Sequence, residues 1–245
     1  MKLLCLDIGN TSITICDYSN EKLGEITRVE SNENFINQLT KYNLGSFNFI
    51  ILCSVVPNLT KLLINYCKNH SINIYEINHK NSHLKLHVDN PSEVGNDRIC
   101  NAVAANKLNF NPSIIIDFGT ATTYDVINAD GHFMGGAIAP GIDVSADYLI
   151  NKTALLKDTI YKFPTKVIGK NTVSNIQSGV MYGGLTSVEG MIKLIDAEIG
   201  DVSNNIIITG GFGKLISEKI NIKHTYIESL TIEGMLQVFF KNQKN

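Results

Sequence analysis

No run in the 245 residues approaches the ~20 consecutive apolar positions that span a bilayer. The first apolar stretch, Leu3 to Leu6, gives way to Asp7 too soon for the hydrophobic region of a signal peptide. A cytoplasmic protein without a membrane partner is expected. An excess of positive charge is missing too: 21 basic against 23 acidic residues leave a formal net charge of −2, and lysine and arginine form no cluster. Such a chain has no field with which to gather phosphate backbones, which argues against nucleic acid. The five cysteines (Cys5, Cys16, Cys53, Cys67 and Cys100) are odd in number and contain no C-x-x-C, which excludes a disulfide framework and a thiolate zinc site. Cys5 and Cys53 read as core residues. Two nucleotide signatures are absent as well. Lys214 after Gly213 is followed by Leu215, so no G-x-x-x-x-G-K-S/T loop exists, and no strand leads into G-x-G-x-x-G.

What is present suits a globular core. With 44% hydrophobic and 18% charged residues and a mean hydropathy of +0.04, the chain is neither disordered nor lipid-embedded. Its length allows one large domain or two modest ones, burying roughly 75% of the extended surface. His79, His83 and His87 recur every fourth residue, as a helical metal site would require. Their segment is Asn-rich and ends in Pro91, which predicts a loop instead.

Periodicity divides the chain into two cycles. Residues 2 to 8 read as a strand ending in Asp-x-Gly, residues 12 to 18 alternate, and a strand-like stretch after Gly24 completes an antiparallel meander. A helix over 33 to 43, the strand FNFIILCSVV, a helix after Pro57, the strand INIYEI and a helix from Asn96 follow. The second cycle opens on SIIID at 113 to 117, runs through MGGAIAPG, and expects helices near 142 to 151 and 173 to 199. The strand NNIIIT, a Gly-Gly turn and a terminal helix close it. LLCLDIGNTSITICD from Leu3 overlays SIIIDFGTATTYDVI from Ser113, matching Asp7 and Gly9 to Asp117 and Gly119. The reading is an α/β protein of two similar lobes, residues 1–110 and 111–245, facing each other across a cleft.

A tight Gly- and Thr-rich turn between strands presents N–H groups and hydroxyls at close range, which suits a polyphosphate. Asn10, Thr11 and Ser12 would be its donors, and Asp7 and Asp117 would hold magnesium and potassium through hard oxygen ligands. D-x-G-N-T is also the composition of an ordinary hairpin turn. Its duplication favours the functional reading.

The blocks LDIGNTSI (6–13), NPSEVGNDRICNAVAA (90–105), IIIDFGTATTYDV (114–126), GGAIAPG (135–141) and ITGGFG (208–213) together resemble type III pantothenate kinase. That family belongs to the actin-like superfamily of sugar kinases and Hsp70 ATPases, with ribonuclease H-like lobes of mixed sheet flanked by helices. The resemblance covers nearly the whole chain; NPSEVG-x-DR and DFGTATT are its specific motifs. It implies ATP-dependent phosphorylation of pantothenate at its primary hydroxyl, the first step of coenzyme A biosynthesis. It further implies a homodimer with the pantothenate pocket at the subunit interface, and a need for Mg2+ and a monovalent cation, K+ or NH4+. By the same resemblance the ATP-binding segment is Asp7, Ile8, Gly9, Asn10, Thr11, Ser12, Ile13 and Thr14, joined by Thr120. The substrate segment is Gly95, Asn96, Asp97 and Arg98, with Thr172; Asp97 is the catalytic base, Asp117 the monovalent-cation ligand, and Asp7 the magnesium carboxylate, acting through water. Many members carry tyrosine nine positions before the catalytic aspartate. Here Val88 stands there, and that contact is not carried over.

Each residue also has a plainer explanation. An acidic residue in a first helical turn is favoured by the macrodipole, which would keep Asp97 ionised and weakly basic. Arg98 could be a surface charge or could pair with a substrate carboxylate. Gly135, Gly136, Pro140, Gly141, Gly210 and Gly211 could shape turns or line the site, and Asp17, Asp125 and Asp130 read as solvated. Two other functions stay open: a superfamily kinase acting on another hydroxyl or carboxylate acceptor, and a non-catalytic nucleotide-binding regulator.

Overall fold

Leu3–Ile8 forms strand β1, which pairs antiparallel with β2 (Ser12–Ser19) and parallel with β5 (Phe49–Ser54). The computed structural model from which this is taken describes residues 1–152, 161–200 and 204–244. Strands β3 (Lys22–Leu23) and β4 (Thr27–Glu30) both pair with β2, one at each of its ends. The expected meander is therefore a single strand position broken in its middle. Parallel β6 (Ile74–Glu76) completes a sheet ordered β3-β2-β1-β5-β6.

Alternation along β1 sends Leu4, Leu6 and Ile8 to one face and Leu3 and Cys5 to the other, all fully buried. Each such side chain contributes about 1.5–3 kcal/mol on leaving water. The first face is covered by α1 (Phe35–Leu39) and α2 (Pro57–Asn69), the second by α3 (Asn96–Lys107) and α7 (Leu230–Gln243). Helix α2 begins on proline, whose missing N–H costs nothing at a first helical position. The helix expected over 33–43 is shorter than its sequence suggests. Asn43 takes a left-handed φ of 44°, and the segment ends in short 3-10 turns.

The second sheet repeats the first. Its strands are β7 (Ser113–Phe118), β8 (Ala121–Ile127), β9 (Phe133–Pro140), β10 (Asn205–Gly210) and β11 (Thr225–Tyr226). The order β11-β10-β7-β8-β9 carries one antiparallel and one parallel neighbour on β7, as β1 does. One face packs on α5 (Thr172–Ile199) and α6 (Gly213–Ser217), with Ile142 of α4 (Ile142–Lys152) in the same core.

The two units are residues 1–110, 131–133 and 229–245, and residues 111–130 with 134–228. Repetition alone would leave α7 with the second half, but its apolar face lies elsewhere. Ile232, Met235, Leu236, Val238 and Phe239 bury against Leu3, Cys5 and Ile51 of the first sheet. Gly234 makes this possible: a Cβ there would lie 1.9 Å from the Cys100 carbonyl oxygen, so the α7 backbone lies directly on α3.

The register also corrects the internal overlay. Asp7 pairs with Thr14, and Asp117 with Thr123, so the second turn is one residue shorter. After the turn the true correspondence is Ile13, Thr14 and Ile15 with Thr122, Thr123 and Tyr124, and their burial then agrees position by position. An ungapped overlay would reverse the facing of every β8 side chain. Asp125, expected in solvent, is 0% exposed, because β8 is an interior strand between β7 and β9.

Candidate active site

In the first unit the turn after β1 is closed by the Gly9 N–H donating to the Ser12 carbonyl at 3.0 Å. A Cβ on Gly9 would stand 3.1 Å from that same oxygen, so the turn is tight only because position 9 has no side chain. Ser31, just beyond β4, braces it from the side: its N–H donates to Thr11 O at 3.0 Å and its hydroxyl to Gly9 O at 2.5 Å. Asn10 and Thr11 lie exposed at the tip. Ile8 and Ile13 are fully buried in the core, so within this segment they can meet a ligand only through their backbones.

Helix α3 is set against the carboxyl ends of β1 and β5. The Asn96 side-chain amide donates to Ser54 O at 3.0 Å, and Val55 N–H donates to Ile8 O at 3.1 Å. Asn96 thus ties the helix to the sheet. Gly95 caps the helix start, and a Cβ there would come 2.4 Å from Asp97 Oδ1, so any larger residue would push the carboxylate out of place. That oxygen accepts the Arg98 N–H at 2.8 Å. Burial nevertheless pushes the Asp97 carboxyl above its ordinary value, against the opposing pull of the Arg98 N–H and guanidinium. The helix dipole alone predicts a weak base. The buried carboxylate is a better one.

The charges of Asp7 and Asp97 both bear on one buried thiol. Cys53 lies in register beside Asp7, and its pKa is raised first by its hydrogen bond with the free Cys100 thiol, then by burial, and further by the charges of both aspartates. The first unit therefore brings together, at one end of β1 and β5, the phosphate-type turn, the Asp7 carboxylate and the start of α3 with Gly95, Asn96, Asp97 and Arg98.

In the second unit Asp117 sits between Thr123 on β8 and Thr209 on β10, in register with both and so on one face of the sheet. Gly210 covers it: a Cβ would lie 2.4 Å from Asp117 Oδ1, and the residue's φ of 88° is itself a glycine conformation. Gly141 closes on the neighbouring turn, its N–H donating to Thr120 O at 3.1 Å where a Cβ would come within 2.5 Å of that oxygen. Gly136 lets β9 approach the Tyr124 carbonyl. Thr172 is exposed at the first position of α5, behind a capping box formed by Asn171 and Ser174.

Sequence reasoning missed Ser31, Thr123 and Thr209. Each is found by strand register, which no local motif announces. The segment 79–87 contains no helix, and the His87 ring packs tilted against His132, at 43° with centroids 4.7 Å apart. Among the described residues no group of three or more His, Cys, Asp or Glu side chains could hold a metal by itself, and no helix is long and apolar enough to cross a membrane.

The family profile of type III pantothenate kinase matches residues 3–194. A type III pantothenate kinase of Dehalococcoides mccartyi is 37% identical, covering 99% of this chain and 97% of the relative. One from Moorella thermoacetica is also 37% identical, with 98% and 99% covered. Among solved structures, a Baf family protein of Campylobacter jejuni superimposes with a TM-score of 0.64 at 20% identity, covering 99% and 100% of the two chains. MreB5 of Spiroplasma citri bound to ADP does so at 0.55 and 12%, covering 100% and 98%. Likenesses at such identities carry the fold alone, an actin-like α/β fold of two mixed sheets flanked by helices.

Proposed function

The chain belongs to the type III pantothenate kinase family and transfers phosphate from ATP to pantothenate in coenzyme A biosynthesis, and we propose that Asp97 is the base that prepares the pantothenate hydroxyl. The observation that carries this assignment is the seating of the α3 start on the carboxyl ends of β1 and β5, where Asn96 donates to Ser54 O at 3.0 Å and Asp7 stands in register with Cys53, with Asp97 made more basic by burial. The primary hydroxyl gives its proton to the Asp97 carboxylate while its oxygen bonds to the γ-phosphorus. The bond from that phosphorus to the β,γ-bridging oxygen breaks, and ADP leaves with 4'-phosphopantothenate.

Asp7 to Thr14 are assigned to the ATP phosphates, with the Asn10 and Thr11 tip as the closest approach; Thr120 is likewise assigned to the nucleotide. Gly95 to Arg98 are assigned to pantothenate, Arg98 pairing its guanidinium with the substrate carboxylate.

The donor set fits the implied cations. Single carboxylates backed by hydroxyls and backbone suit Mg2+, which takes one or two carboxylates plus phosphate oxygens, better than a closed protein cage would. Asp7 would hold magnesium through water. Asp117, flanked by Thr123 and Thr209, would hold the monovalent cation, K+ or NH4+. When bound, the two offset charge on the transferring phosphates.

A homodimer is supported by α5. At Gly179, Gly183 and Gly190 an added Cβ would meet nothing, while Val173 and Leu194 are 47% and 66% exposed. This face suits a second copy. Thr172 at the start of the same helix would then reach the partner's pantothenate pocket. Sedimentation equilibrium should report twice the 27.0 kDa chain mass; a monomer at assay concentrations would remove the dimer. We place the enzyme in the cytoplasm, where its ATP is.

The deciding assay follows ADP release. It should require pantothenate and rise on adding potassium. Release with another hydroxyl or carboxylate acceptor, but not with pantothenate, would overturn the substrate. Nucleotide binding without release under any condition would favour a regulator.

A further inference from the structure

Residues 131–133 lie in sequence between β8 and the body of β9 yet belong to the first unit. They are fixed there at three points. The Asn106 side-chain amide of α3 donates to Gly131 O at 2.8 Å, Phe133 N–H donates to Lys85 O at 2.9 Å, and His87 N–H donates to Phe133 O at 2.8 Å. Phe133 thereby forms a parallel bridge opposite Leu86 and is 1% exposed. The Arg98 guanidinium carbon lies over its ring, 5.4 Å from the centroid. That is within the ~6 Å at which the negative face of an aromatic ring attracts a cation.

We propose that Phe133 is a positioning residue for Arg98, holding its guanidinium ready for the carboxylate of the acceptor. The proposal rests on the assignment of Arg98 to that carboxylate. A free arginine surrenders several rotatable bonds when it pairs, whereas a guanidinium already resting on a fixed, buried ring has surrendered part of that freedom beforehand. The benefit falls on acceptor binding. A flat apolar surface that merely covered the arginine stem would give packing without orientation, and the two cases are separable.

The test uses the full-length enzyme and steady-state kinetics with pantothenate. Phe133→Met keeps much of the volume and removes the ring; it should raise the pantothenate KM by about 5- to 10-fold, the size of a partly desolvated cation–π contact. Its kcat and ATP KM should stay within about twofold, since neither the base nor the nucleotide segment is touched. Phe133→Tyr keeps the ring and should hold the pantothenate KM near the wild-type value, with the cost of the added buried hydroxyl falling on stability. In an Arg98→Met background the added Phe133→Met change should have no further effect on KM, because its partner is gone. Fluorinated phenylalanines installed at 133 preserve shape while draining the ring face, and should raise KM stepwise; this arm serves if the methionine variant does not fold. An unchanged KM in Phe133→Met or across the fluorinated series, or an undiminished effect in the double variant, would overturn the proposal. If Arg98→Met alone leaves KM intact, the carboxylate assignment fails, and this inference fails with it.

Discussion

Replacing Asp97 with asparagine is expected to lower kcat by about 10²- to 10⁴-fold, the usual contribution of a positioned general base, while ATP affinity stays as it is. Asparagine keeps the size of the side chain and an oxygen for the Arg98 N–H that Asp97 Oδ1 now accepts at 2.8 Å. The charge and the basicity are removed together. The same substitution should leave the protein at least as stable. Burial raises the folded Asp97 pKa above the ordinary value of 3.8, outweighing Arg98, so the folded chain holds this proton more tightly than the unfolded chain. The resulting stabilisation is full below the unfolded pKa and is lost as pH rises through the folded one. At neutral pH the ionised carboxylate therefore opposes folding, and the asparagine variant should melt at or above the wild-type temperature. Unchanged kcat would remove the base. A fall in kcat with a clearly lower melting temperature would mark structural damage instead.

The elevated pKa reaches the reaction as well. The acid limb of kcat/KM should lie above the ordinary aspartate value of 3.8, since the base must be ionised to accept the hydroxyl proton. Burial is a property of the assembled unit, made when Gly95 and Asn96 draw α3 onto the ends of β1 and β5. First-turn position is visible in a sequence; desolvation is not. This is why a reading from the helix dipole alone makes Asp97 too weak a base.

The same division runs through the rest of the molecule. The doubled Asp-x-Gly, the apolar runs of β1, β5, β7 and β10, and the glycine-bounded turns are local patterns, and they carry the repeated strand order. A one-residue difference in turn length is not a local pattern. It shows only when Asp117 is seen opposite Thr123 as Asp7 is opposite Thr14. Likewise α7 has an apolar face in the sequence but no mark of its destination; Gly234 against Cys100 and the Thr231 hydroxyl, 2.8 Å from Asn101 Oδ1, fix it on α3. Asp125 misleads for a related reason. Charged residues are almost never fully buried without a partner, so composition sends it to the surface, whereas the topology of β8 keeps it inside.

Replacing Asp117 with alanine is expected to abolish stimulation by potassium, bringing activity in potassium down to the level the wild type shows without it. A loss of about 10²-fold would match the removal of one preorganised electrostatic partner of a phosphoryl transition state. The register gives the reason: the Asp117 carboxylate lies between the hydroxyl-bearing Thr123 and Thr209, the latter only 2% exposed, so oxygen donors border it on both neighbouring strands. Potassium and ammonium are soft in their geometric demands and accept such an irregular oxygen set. Gly210 offers a second way to disturb the same carboxylate. A Cβ at 210 would meet Asp117 Oδ1 at 2.4 Å and the Phe118 backbone N and O at 2.5 and 2.6 Å, and φ of 88° disfavours any side chain there. Gly210→Ala should thus displace the carboxylate without deleting it, raising the potassium concentration needed for half-maximal activity, and its stability cost should exceed the about 1–2 kcal/mol of the left-handed backbone alone, because the β7 backbone at Phe118 must shift as well. Titrating activity with potassium chloride at constant ionic strength measures both outcomes. An Asp117→Ala enzyme that still responds to potassium would place the cation elsewhere, and a Gly210→Ala enzyme with unchanged half-activation would free Asp117 from the role its neighbours give it.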